Sequence, residues 1–192
     1  MEELETKVRD ELAAITDVLE DILGRRSHWN GEVELSDDAT MFGKAPWSGR
    51  IVINRKVAQD DVRWRTLIHE ALHTFSVGLT PVAYETLKGW EEGVVEQLQR
   101  LLRPRLLQSL GVRVPAPLFL AIEADHPYNL YVDALEGLRL SLGRSEEAFY
   151  LHLLSVPLGQ RANDVIVQGQ QLPEDRCLHF RRVFSASFPR LR

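Results

Sequence analysis

Cys177 is the only cysteine among the 192 residues, so no disulfide can form within the chain and a stapled secreted scaffold is excluded. No apolar run approaches the roughly 20 residues that a membrane-spanning helix needs. The opening MEELETKVRDELAAITDVLEDILGRR begins acidic and is interrupted by charge, unlike a signal peptide. Positive charge is not in excess either. Lys and Arg number 23 against 28 Asp and Glu, a net charge of -5, which speaks against a duplex nucleic-acid binder. The distal RCLHFRRVFSASFPRLR is locally basic and reads as a solvated tail. Internal repeats, low-complexity tracts and clear linkers are missing. The expectation is a cytoplasmic protein with neither a membrane nor a nucleic acid as partner.

What is present is an ordinary globular composition, 44% hydrophobic and 27% charged. The length suits one domain over 1–192, in three parts: an N-terminal amphipathic helix (1–26), a core (30–103) and a C-terminal helical part (104–192). Leu4, Val8, Leu12, Ile15, Leu19 and Ile22 recur at three- and four-residue steps, the stripe of a helix ending near Gly24. GEVEL alternates and RIVIN is β-branched, with GKAP and SGR as turn signals, so a small antiparallel sheet is expected between Asn30 and Asn54. A helix over 62–77 follows, then a connector LTPVAYETLKG. A second helix over 90–102 is expected to stop before Pro104. Further helices are predicted over 127–142 and 146–154. The fold class is α+β and helix-rich.

TLIHEALHTFS, residues 66–76, carries the chemistry. His69 and His73 are one helical turn apart and share a face, a spacing at which two imidazoles can bind one Zn2+ ion. Glu70 lies about 100° round the helix, where a carboxylate can take a proton from water activated by the ion. Trp64, Ile68 and Phe75 fall on the opposite side and read as core. A third ligand is offered by GWEEGVVEQLQR, which holds Glu91, Glu92 and Glu96. Gly93, lacking a side chain, would let this helix approach the histidines closely. Glu96, one turn beyond Glu92, is suited to accept a ring N–H of His69 or His73 and fix its tautomer. Glu91 also fits an exposed acidic helix start.

H-E-x-x-H followed by a glutamate on the next helix resembles the gluzincin metallopeptidases, and WEEGVVE is similar to their N-E-G-x-x-E block. The resemblance assigns the ligand glutamate to Glu92, after a gap of eighteen residues, 74–91. Over about residues 40–102 the layout of SGRIVINRKVAQDDVRWRTLIHEALH resembles the small intracellular ImmA/IrrE-like and minigluzincin proteins. That likeness implies a minimal zincin-like domain. Its edge strand, Ile51, Val52, Ile53 and Asn54, would pair with an extended substrate through main-chain hydrogen bonds. The G-x-M-E-N segment of the related aminopeptidases has no counterpart before His69, which favours an endopeptidase.

Gluzincins also add a Tyr or His donor for the oxyanion. His126, Tyr128, Tyr131 and Tyr84 are the candidates, with Tyr128, at a helix start, ahead of the others. The expected activity is zinc-dependent hydrolysis of a peptide bond in a specific intracellular protein or peptide. The alternative is a latent or non-cleaving zincin-fold regulatory protein that acts by binding partners. The oligomeric state is not legible.

Overall fold

The computed structural model describes residues 2–45 and 48–192. The turn expected at GKAP includes Pro46, which lies outside the described residues. The chain divides into two compact units, one built from 1–75 and 99–124 and the other from 76–98 and 125–192. The protein is α+β and helix-rich, with one small sheet among the described residues. None of the described helices is long and apolar enough to cross a membrane.

In the first unit, α1 (Glu2–Leu23) lays its stripe of Val8, Leu12, Ile15 and Leu19 into the core, and it packs against α3 (Arg63–His73). Three strands precede α3: β1 (Val33–Ser36), β2 (Gly43–Lys44) and β3 (Ile51–Asn54). Their order is β1-β3-β2. β3 runs parallel to β1, with Val33 opposite Ile51, and antiparallel to β2, with Gly43 opposite Ile53. The sheet is therefore mixed rather than antiparallel. The strand Ile51, Val52, Ile53 and Asn54 is also central, not an edge. Its main-chain groups are shared with neighbours on both sides, so they are not open to an extended peptide. The reason is that the chain reverses between β1 and β2 and again between β2 and β3, so that β3 runs with β1 and comes to lie between the two.

Asn54 ends β3 and caps the short α2 (Arg55–Ala58), its side chain accepting from the backbone N–H of Lys56 and Val57. α3 follows and ends at His73, four residues earlier than the apolar pattern suggested. Trp64, Ile68 and Phe75 are buried, as their side of the helix implied. The end of α3 is tied down locally. Thr74 Oγ1 lies 2.6 Å from Ser27 Oγ, and Thr74 O accepts from the His28 N–H at 2.9 Å.

α4 (Pro81–Ser109) departs furthest from expectation. The connector is helical, and the helix continues through Pro104. An interior proline costs about 3 kcal/mol, yet Leu102, Leu106 and Leu107 on either side of it are buried, and their burial offsets the cost. The regular backbone breaks at Leu87 instead, with φ -129° and ψ 31°. α5 (Ala116–Glu123) completes the first unit.

The second unit gathers α6 (Asn129–Leu142), α7 (Glu146–Ser155), α8 (Arg161–Gln170) and α9 (Glu174–Ser187). Its core includes Trp90, Val94, Leu135, Leu138, Phe149, Leu153, Val165 and Phe180. The basic end is not a solvated tail. It forms α9, with Phe180 and Ser187 buried, and Leu191 beyond it is fully buried. Leu191 O accepts the Trp90 N–H at 3.2 Å. The break at Leu87 explains that bond, because N–H groups just after a helix break lack an acceptor one turn back.

Candidate metal centre

His69 and His73 occupy successive turns of α3 and are both buried. Their Nε2 atoms lie 3.2 Å apart, and the rings meet edge-on with centroids 4.9 Å apart. At this distance one neutral ring can donate to the other, and the pair can equally share one cation. Two imidazole nitrogens on a tetrahedral ion at about 2.05 Å would lie about 3.3 Å apart, close to what is seen. One ligand atom from each of His69, His73 and Glu92 falls within 4.8 Å of the others, and all three residues are buried. This cluster could hold a metal ion. Two imidazoles and one carboxylate form a donor set suited to a transition metal rather than to calcium or magnesium.

Glu70, the predicted proton carrier, is buried beside this pair on α3. β2 comes down upon it. A Cβ added at Gly43 would stand 2.8 Å from Glu70 Cγ, Glu70 Oε1 and Thr66 Cγ2, which real contacts do not tolerate. The glycine that had read as a turn signal thus allows a strand to lie directly over the carboxylate.

Glu92 sits on α4 and accepts a hydrogen bond at Oε1 from the Tyr84 hydroxyl. Glu96, one turn on, is fully buried. Gly93 opens space for a different neighbour from the one expected. Its missing Cβ would meet Leu135 Cδ1 at 2.7 Å and Tyr131 Cβ at 3.0 Å, so the glycine admits α6. The reason is helical phase: Gly93 lies about 100° round the helix from Glu92, on the side where α6 packs.

Glu91 is not an exposed helix start. It is 0% exposed and pairs with Arg161, also 0% exposed, at 2.9 Å. The guanidinium donates further to Trp90 O at 2.9 Å and Ser76 Oγ at 2.6 Å, and Ser76 donates to Glu91 at 2.7 Å. Burial pushes the Arg161 pKa down, and the Glu91 charge acts against that shift. Sequence reasoning missed Arg161 altogether, since nothing in RANDVIVQGQ marks its partner seventy residues away.

Tyr128 precedes α6, its ring stacked on Tyr131 with centroids 5.8 Å apart, and its N–H donates to His126 Nδ1 at 3.3 Å. The Lys88 ammonium lies 6.0 Å from the Tyr128 ring centre and 5.9 Å from that of Tyr84. Among the candidate donors, Tyr84 is bonded to a predicted metal ligand, Glu92. His152 pairs with Asp164 at 2.8 Å. Comparison with protein-family models, with curated proteins and with solved structures gives no match.

Proposed function

We propose that this chain is a zinc-dependent endopeptidase of minimal gluzincin type, cleaving a peptide bond in a protein or peptide substrate. The observation that carries the reading is the pair of imidazole Nε2 atoms 3.2 Å apart, with a Glu92 carboxylate oxygen in the same buried cluster. His69, His73 and Glu92 would hold the ion. When bound, zinc supplies Lewis acidity that brings the pKa of water to about 7. Glu70, one residue from a ligand histidine, takes the proton of the attacking water and passes it to the leaving amine. Tyr128 is the group to donate to the developing oxyanion, since the Tyr84 hydroxyl is given to Glu92. An extended substrate would add to the sheet at β2, the edge strand beside Glu70, rather than at β3.

The test joins metal content to cleavage. Purified protein is expected to hold one zinc per chain, lost in His69→Ala, and to cut members of a peptide library read by mass spectrometry. Chelator should abolish cleavage. Glu70→Gln should abolish it too while keeping the zinc. Fragments that persist in Glu70→Gln would refute the mechanism, and a wild-type chain without affinity for zinc would refute the reading itself.

A further inference from the structure

A carboxylate that ligates through both oxygens takes two coordination positions; one that ligates through a single oxygen takes one. With two histidines already present, that difference decides whether a position is left for water, as hydrolytic zinc sites require. Glu92 has one of its oxygens already engaged. Tyr84 donates its hydroxyl to Oε1 of a side chain that is almost wholly buried.

An unbroken helix would not allow this contact. Residues eight apart are about 12 Å apart along the axis. Side chains lean toward the helix N-terminus, so Tyr84 would point away from Glu92. The break at Leu87 removes the obstacle by turning the segment that carries Tyr84 relative to the rest of α4. The Tyr84 ring is further flanked by the Lys88 ammonium at 5.9 Å, which also faces Tyr128.

We propose that Tyr84 is a positioning residue that restricts Glu92 to one-oxygen ligation and thereby keeps a coordination position open. This rests on the metal reading above. With the Tyr84 hydroxyl on Oε1, Oε2 is the oxygen we assign to the metal. The phenol also fixes the carboxylate before the ion arrives, so part of the ordering is complete in the metal-free protein. Removing a partner that orients a metal ligand lowers affinity by about 10- to 100-fold.

Tyr84→Phe removes only the hydroxyl and keeps the ring. Two readouts on the full chain test the proposal, neither of them an activity. In competition with a chromophoric chelator, zinc affinity is expected to fall about 10-fold or more in Tyr84→Phe. In the cobalt(II)-substituted protein, wild type is expected to show the intense visible bands of a four-coordinate ion. Those bands should weaken several-fold in Tyr84→Phe as the freed oxygen joins and the coordination number rises. A purely structural contribution of the hydroxyl would lower the unfolding midpoint with and without metal alike and would move neither readout. Affinity within threefold of wild type, together with an unchanged cobalt spectrum, overturns the proposal. An affinity that rises also overturns it, since the phenol would then be competing with the ion. A wild-type chain that binds no zinc removes the metal reading and this proposal together; normal wild-type binding with an unaltered variant removes this proposal alone.

Discussion

Arg161→Met leaves Glu91 as a fully buried carboxylate without its guanidinium. Removing one partner of a buried ion pair costs about 3–5 kcal/mol, because the remaining charge is neither solvated nor paired. Two further acceptors, Trp90 O and Ser76 Oγ, lose their donor as well. For a chain of this size each kcal/mol shifts a melting midpoint by about 2–4 °C, so the midpoint should fall by at least about 6 °C. The informative comparison adds Glu91→Leu. Replacing both charges with apolar side chains removes the uncompensated carboxylate, and the double variant is expected to be more stable than either single one by about 2 kcal/mol or more. Urea denaturation of all four proteins, with chelator present so that bound metal contributes nothing, gives the cycle directly. A single variant that loses less than about 1 kcal/mol, or a double variant no better than the singles, would refute the reasoning.

Gly43→Ala should cost about 1–3 kcal/mol as an overpacked contact, because its Cβ would stand 2.8 Å from two side chains of α3; an unchanged urea midpoint would show that β2 does not press on Glu70. Glu123 gives a pH dependence. Burial raises its pKa, but the hydrogen bonds from Arg103 and Gln99 and the charges of Arg103 and Arg100 together outweigh that and hold it below the ordinary 4.5. A lowered carboxylate contributes stability that is complete above its unfolded value and lost as pH falls through the folded one. Wild type should therefore lose more stability than Glu123→Gln on going from pH 7 to below 4.5; parallel curves from urea melts across that range would count against the pairing.

Local periodicity carried the helices well. The stripe of α1 is buried at Val8, Leu12, Ile15 and Leu19 and half-buried at its ends, Leu4 and Ile22, and the (i, i+4) spacing of His69 and His73 brings their Nε2 atoms together because α3 is regular between them. Pairings made across the chain were not legible. Whether β3 is central or an edge depends on where β1 returns, and no alternation within RIVIN encodes that. Glu91 looked like a solvated helix start because its counter-charge lies in a segment with no motif of its own. The density of arginine in the distal segment hid the spacing of Phe180, Ser187 and Leu191, which are the residues it buries. Pro104 misled in the opposite direction: proline reports a local cost, and flanking leucines outweighed it.

The bond between Trp90 and Leu191 spans about a hundred residues of sequence. While the chain is being synthesised, the histidines and glutamates emerge from the ribosome long before the carbonyl that completes the turn ahead of Glu92. A nascent chain stalled short of Leu191 already carries His69, His73 and Glu92, yet the Trp90 N–H still lacks the acceptor that the finished fold supplies.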